Sequence, residues 1–465
     1  MTGRRTKLVC TIGPATADRI DELVAAGMNV ARLNFSHGTA ASRTVAAERV
    51  RAAGEGRVAI LADLPGPKIR LGDLADDTLT LEAGASFTLR PADDSPGGSD
   101  GAHVSYARLA SDVRAGDRIL LADGAVELRV IDAADVVRTE IVRGGVIRAH
   151  AGVSVPSDRL SEPPLTHADR AAVPRAIDLG ADYIAQSFVR NAADVKELRA
   201  LIGPDGPPIV AKIETRAAVD DFDAICTLAS AVMIARGDLG VELPYEEVPI
   251  LQKQLVRRAL DLGVPTIVAT QMLESMITSP RPTRAEASDV ANAIFDGADA
   301  IMLSGETAIG EYPILAVEAA ARVARLCEEK GADHMAAGAP PTARTDADAL
   351  AYAAVALTEA DRDVSAIACY TRSGRTARIL SSLRPRVPIV AFAPDEDVVQ
   401  RLALIHGVQA RTCVPPAGAS GRLDLMAWLL GEDASLPAGS AVVLVASTAA
   451  PGSGPNLLEV ARVAG

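Results

Sequence analysis

The chain has 465 residues, 49% of them hydrophobic and 23% charged, with 47 basic against 60 acidic side chains and a formal charge of −13. That balance excludes a largely disordered chain, and the acidic surplus argues against a nucleic-acid binder. At ~150 residues per domain the length suits about three domains. No apolar run nears the ~18 residues a membrane span needs, and the basic start at residues 1–7 lacks an apolar core behind it, so neither a membrane partner nor a signal peptide is expected. Cys10, Cys226, Cys327, Cys369 and Cys413 are scattered without a C-x-x-C pair. They read as buried thiols of a cytoplasmic protein. Only six of the basic residues are lysine, so a lysine inside an apolar stretch carries more information than usual.

In chain order, short apolar runs fit strands at residues 7–12, 29–33, 58–64, 182–188, 208–214, 231–238, 265–271 and 300–306. Their cores are continuous and often β-branched, as strands covered on both faces by helices should be. Helical patterns lie between most of them, at 18–26, 168–179, 192–202, 249–262 and 283–296. Eight such strands predict a (β/α)8 TIM barrel, with a doubly wound open sheet as the alternative. From about residue 73 to 156 the pattern changes to alternating strands with glycine turns (TLTLEAG, SFTLR, RILLADGAVELRV, VVRTEIV). This is an all-β lid domain inserted between barrel strands three and four. A helix at 314–329 and a linker at 335–349 follow strand eight. Strand patterns at 365–371, 387–394 and 440–446 then form a C-terminal α/β domain. The expected division is 1–72 and 157–335 for the barrel, 73–156 for the lid and 336–465 for the last domain.

Barrel enzymes work at the carboxyl ends of their strands. Polar residues gather there: Arg32 and Asn34 after strand two, Asp63 after three, Ser187 after four, Lys212 and Glu214 on five. Arg236 and Asp238 end strand six, Thr270 and Gln271 seven, Ser304 and Glu306 eight. Singly, each reads as well as an ordinary strand-end polar residue; seven of eight strands ending this way is a stronger signal. Lys212 and Glu214 share one face of an otherwise apolar strand. A structural ion pair would explain that tripeptide equally well. Adding Asp238 sharpens it, since two carboxylates plus water and substrate oxygens is how Mg²⁺ is usually held. Gly237 gives backbone N–H access to an anion. No G-x-x-x-x-G-K-[ST] occurs, so a nucleotide would not be held by a P-loop.

Residues 29–38 (NVARLNFSHG), 66–70 (GPKIR), 209–215 (IVAKIET), 233–242 (MIARGDLGVE), 269–277 (ATQMLESMI), 282–292 (PTRAEASDVAN) and 302–308 (MLSGETA) together closely resemble the pyruvate kinase family. The likeness runs in order from residue 7 to about 313 and resumes at 371–378 and 451–456. It implies phosphoryl transfer from phosphoenolpyruvate to ADP, giving pyruvate and ATP. Carried over, Glu214 and Asp238 would bind Mg²⁺, or Mn²⁺ in its place, and Gly237 and Asp238 would orient substrate. Lys212, helped by Arg32, would face the transferring phosphoryl group. Thr270 would bind the substrate carboxylate and serve enolate protonation, with Ser304 and Glu306 behind it. Asn34, Ser36, His37 and Arg70 would lie on the nucleotide side, and Asn34, Ser36 and Asp63 would form a monovalent-cation corner. Relatives with lysine at the position of Lys68 are typically K⁺-independent, so K⁺ is not expected to be required. Thr371, Arg372, Ser373, Gly374 and Thr376 open a helix after a strand, a recipe for a phosphate site. An N-cap with solvated arginines fits that pattern equally well. The resemblance favours a phosphorylated effector such as a sugar phosphate or AMP, with 451–456 opposite. It also implies a homotetramer.

Two positions depart from the family's pattern. Where the family's lid ends in a lysine facing nucleotide phosphates, this chain has Ala151 in AGVSVP (151–156). Weaker ADP binding is expected, with Arg148 or Arg159 as candidate substitutes. A tryptophan-glycine pair is replaced by His406-Gly407, a histidine that reads as packed or exposed, not as a ligand. Two rival readings stand beside the kinase. One is a Mg²⁺-dependent barrel lyase acting on oxaloacetate-like oxo acids, against which His37, Arg70 and the lid count. The other is a weakly active regulatory paralogue, for which Ala151 is the support.

Overall fold

The computed structural model describes residues 3–93, 95–122, 124–156, 160–336, 345–413, 430, 436, 439–446 and 455–463. Eight parallel strands, Lys7–Thr11, Val30–Asn34, Ala59–Asp63, Tyr183–Gln186, Ile209–Ile213, Ala231–Ala235, Thr266–Ala269 and Ala300–Leu303, close into a barrel, the eighth pairing back onto the first. The apolar runs are continuous because both faces are covered. Val9, Leu61, Ala185, Val210, Met233, Ile267 and Met302 fill the interior. The alternate residues Leu8, Ile60, Ile184, Ala211, Ile234, Val268 and Ile301 pack beneath the helices.

One barrel helix, Ala40–Gly54, has no counterpart among the helical patterns read from sequence. Its buried side is only Ala46, Ala47, Val50 and Gly54. Alanine on both faces leaves no apolar stripe to read.

The lid is a seven-stranded sheet with a two-stranded ribbon, Thr78–Leu81 against Gly145–Arg148. Its own core includes Phe87, Leu89, Ile119, Leu121 and Leu128. The chain leaves the barrel for the lid through Gly66, at φ +65°, where a Cβ would sit 2.8 Å from the Phe188 ring. Only glycine suits both the backbone angle and the gap.

The last domain is a five-stranded sheet ordered Val408–Thr412, Ile389–Ala393, Val364–Tyr370, Ala441–Ala446, Leu457–Arg462, the last strand antiparallel. Sequence reading missed its two edges because half-exposed strands such as VQART and LLEVAR lack a continuous apolar run. This domain seals the amino-terminal mouth of the barrel. Lys7 Nζ donates to the Val408 carbonyl at 2.6 Å, and Arg384 pairs with Asp299 at 3.0 Å, both nearly fully buried. His406 is buried at the same junction, where burial first, then Arg384, Arg5 and Lys7, push its pKa down. With that mouth closed, the carboxyl-terminal mouth under the lid is the one left open.

Candidate active site

The side chains at the open mouth are the next layer of the barrel's interior alternation. On strand five Val210 is interior, so Lys212 and Glu214 follow on the same face; Leu61 leads to Asp63, Val30 to Arg32 and Ala185 to Ser187. Period two thus delivers four charges to one place. Lys212 Nζ lies 2.9 Å from Glu214 Oε1 and 3.4 Å from Asp63 Oδ1, and donates to Ser187 Oγ at 2.7 Å. Arg32 Nε donates to Asp63 Oδ2 at 2.7 Å and Arg32 Nη1 to Thr11 Oγ1 at 3.0 Å.

Burial alone would lower the Lys212 pKa. Asp63, Glu214 and Asp238 outweigh it and hold the ammonium well above its ordinary range. Burial also works against ionised Asp63, but Lys212 and Arg32 keep its carboxyl low. Glu214 is pushed up, by burial first and by Asp238 in addition, while Lys212 opposes. Its Oε2 accepts the Phe188 N–H at 2.6 Å, and its buried Oε1 has the Lys212 ammonium as its partner.

Glu214 and Asp238 both line a cavity of about 510 Å³ between barrel and lid, with Lys68, Arg70, Arg148 and His150 among the other lining residues. Two carboxylates at the wall of one cavity, with Asp238 helping to push the Glu214 carboxyl up, fit a divalent cation. Among the described residues no cluster of three metal-ligating side chains exists. A Mg²⁺ here would therefore take two protein carboxylates and leave its other positions to water and substrate.

Strands six and seven bring Gly237 and Thr270 together: the Gly237 N–H donates to Thr270 Oγ1 at 2.7 Å. A substrate anion at that N–H would have to displace the hydroxyl. Thr270 has φ +71° and Gln271 +54°, and Phe188 at the end of strand four has +55°. A β-branched residue in the left-handed region is a strained outlier of the kind that collects at functional sites. Arg236 holds this turn. Its Nη2 donates to the carbonyls of Thr270 and Gln271 at 2.7 and 3.2 Å, and its Nη1 pairs with Asp289 at 2.7 Å. Sequence placed Arg236 at a strand end without a task; nothing in its spacing pointed to Asp289 as its partner. Ser187 was visible in the same limited way.

Asn34 Oδ1 accepts the Ser36 N–H, and Ser36 Oγ and Asp63 Oδ1 are buried without hydrogen-bond partners among the described residues. Solvent reaches much of Lys68, yet its ammonium stands in the fields of Lys212, Asp238, Asp63 and Glu214; burial, then Lys212, lower its pKa. His37 is exposed, its pKa lowered by partial burial, then by Lys68, Arg70 and Arg32. Arg70 Nη1 donates to the His150 carbonyl at 3.1 Å. Far from this mouth, Gly374 at φ +78° starts the helix Arg375–Ser382, and no side chain caps it. Thr371 is buried while Arg372 and Ser373 are exposed beside it. The opposing segment falls largely outside the described residues, as does Arg159.

Residues 3–317 match the family model for the pyruvate kinase barrel domain, and residues 348–461 the model for the pyruvate kinase alpha/beta domain. The pyruvate kinase of Mycobacterium tuberculosis is 43% identical over 479 residues, covering 99% of this chain and 98% of the relative. That of Geobacillus stearothermophilus is 42% identical over 472 residues, covering 98% of this chain and 80% of the relative. A crystal structure of a pyruvate kinase from Cryptosporidium parvum superposes with a TM-score of 0.88 at 32% identity, covering 99% of this chain and 96% of that one. With a closed barrel carrying Lys212, Glu214 and Asp238 at its open mouth, and with matches spanning nearly its whole length, this chain belongs to the pyruvate kinase family.

Proposed function

We infer that the chain transfers the phosphoryl group of phosphoenolpyruvate to ADP. The observation that carries this reading is the cavity in which Glu214 and Asp238 face the lid beside the buried Lys212 ammonium. Glu214 and Asp238 would hold Mg²⁺ or Mn²⁺. A bound dication supplies Lewis-acid neutralisation of phosphate oxygens. Lys212 remains a fixed positive charge against which the transferring phosphoryl group develops negative charge. Arg32, already oriented by Asp63 and Thr11, binds the same phosphate. Thr270, held by Arg236, binds the substrate carboxylate and stands on the proton route to the enolate. Asn34, Ser36, His37 and Arg70 serve the nucleotide side, and lid closure excludes water. ADP-dependent pyruvate formation in a coupled assay tests the reading; oxaloacetate decarboxylation in a parallel assay, with no ADP-dependent turnover, would favour a lyase instead.

Lys68 replaces K⁺. The oxygens of Asn34, Ser36 and Asp63 remain, but the Lys68 ammonium already feels the same carboxylates a cation would neutralise. Two unit charges ~4 Å apart repel by about 4 kcal/mol at an effective dielectric of 20, a roughly thousandfold weakening of K⁺ binding. Full activity is expected when tetramethylammonium replaces K⁺ at fixed ionic strength, with K⁺ dependence appearing in Lys68→Glu. A strong K⁺ requirement in the wild type would defeat this assignment.

Thr371, Arg372, Ser373, Gly374 and Thr376 bind a phosphorylated effector. The uncapped helix start and the exposed Arg372 and Ser373 support it. Sugar phosphates or AMP are expected to shift the phosphoenolpyruvate saturation curve, and Ser373→Asp to abolish the shift; no response to any of them would rule the site out. Tyr245 and Ile250, 81% and 60% exposed, offer apolar surface for assembly, which supports a homotetramer. Five buried free thiols favour the cytoplasm as its compartment, and among the described residues no helix is long and apolar enough to cross a membrane.

A further inference from the structure

The barrel wall of the 510 Å³ cavity carries the carboxylates Glu214, Asp238 and Glu242; Lys68 stands where the chain enters the lid, and the lid contributes Arg70, Arg148 and His150. The three lid side chains are not equivalent. Arg70 spends Nη1 on the His150 carbonyl, and His150 Nε2 lies 3.1 Å from Asp73 Oδ1. Arg148 has no side-chain hydrogen bond or ion pair among the described residues.

Its direction is set by the strand it ends. Along Gly145–Arg148, Ile147 is fully buried in the lid core while Val146 and Arg148 are exposed. Both Val146 and Arg148 line the cavity, so period two turns the guanidinium toward it. Register with Thr78–Leu81 fixes the strand, Arg148 lying opposite Thr78. Three residues later the wall is Ala151, a side chain too small to fill the space or to bring charge of its own.

We propose that Arg148 is the lid's phosphate-binding cation, gripping the diphosphate of the nucleotide from the side opposite Glu214 and Asp238. The proposal rests on the phosphoryl-transfer reading above and adds the residue that recognises the acceptor. A guanidinium fork matches two phosphate oxygens at once, which an ammonium at residue 151 would not. An uncommitted arginine facing two carboxylates across a cavity is complementary to a polyanion brought in with a divalent cation. On this proposal the charge that the family carries at the position of Ala151 stands three residues earlier in the chain.

The test is ADP titration at saturating phosphoenolpyruvate in the wild type, Arg148→Ala, Ala151→Lys and the double variant. Arg148→Ala is expected to raise KM for ADP about tenfold or more while KM for phosphoenolpyruvate changes less than twofold, a split that general loss of folding would not produce. Ala151→Lys alone should change little, yet restore most of the ADP affinity in the Arg148→Ala background. Calorimetric binding of Mg·ADP to the same four proteins reads the residue without turnover. Failure of the wild type to make pyruvate would therefore count against the reaction, and unchanged Mg·ADP affinity in Arg148→Ala against Arg148. A tenfold gain from Ala151→Lys in the wild type would also overturn the proposal, because it would mean the place is empty.

Discussion

Replacing Lys212 by alanine is expected to cut kcat more than tenfold, while KM for phosphoenolpyruvate changes far less. The ammonium sits 2.9 Å from Glu214 and 3.4 Å from Asp63, and donates to Ser187 at 2.7 Å. It is thus positioned before substrate arrives. Its carboxylate neighbours hold it protonated across neutral pH, so no proton transfer is needed to prepare it. Pre-organised positive charge contributes most where negative charge grows, which is in the transition state. On the proposed assignment Arg32 still binds the phosphate in the ground state, so substrate affinity should survive. Removing the ammonium also leaves two buried carboxylates less well compensated. Circular dichroism and a thermal melt must therefore accompany the kinetics, to separate lost folding from lost catalysis. A folded Lys212→Ala that kept more than a tenth of wild-type kcat would leave less than ~1.4 kcal/mol for the lysine and remove it from this role.

The residues that sequence exposed best are those governed by period two. Lys212 and Glu214 interrupt an apolar strand, and once Val210 is known to face inward their shared position at the mouth follows. The barrel itself was legible for the same reason: strands covered on both faces must be apolar throughout. Contacts between distant segments were not legible. Arg236 reaches the Thr270 and Gln271 carbonyls and Asp289 across 34 to 53 residues, and no local pattern encodes a partner so far away. Nor does spacing reveal a positive φ at Phe188, Thr270 or Gln271, since none is a glycine. The cavity-facing direction of Arg148 needed the burial of Ile147 to be seen. Helix Ala40–Gly54 and the strands Val408–Thr412 and Leu457–Arg462 escaped because their burial is partial or made of alanine.

Asp238→Asn is expected to abolish most activity while leaving the metal-free protein about as stable as the wild type. The amide keeps the volume of the carboxylate and removes one of two protein charges facing the cation. A unit charge pair at ~4 Å contributes about 4 kcal/mol at an effective dielectric of 20, and more against a dication, so metal affinity should fall on the order of a thousandfold. Stability responds differently. Without metal, Asp238 and the buried Glu214 repel one another, and that repulsion is part of what pushes Glu214 upward. Neutralising Asp238 relieves it and at the same time removes an attraction to the Lys212 and Lys68 ammoniums, so the metal-free melting temperature should change little. The same variant should lose the stabilisation that MgCl2 gives the wild type, because a ligand stabilises only the state that binds it. Three readouts then separate: activity down, Mg²⁺-induced shift gone, metal-free melting temperature nearly unchanged. A structural ion-pair role for Asp238 gives the reverse pattern. In that case the metal-free protein would melt earlier, and Mg²⁺ would still stabilise whatever remained folded. Wild-type activity in Asp238→Asn at equal total Mg²⁺ would exclude Asp238 as a ligand outright.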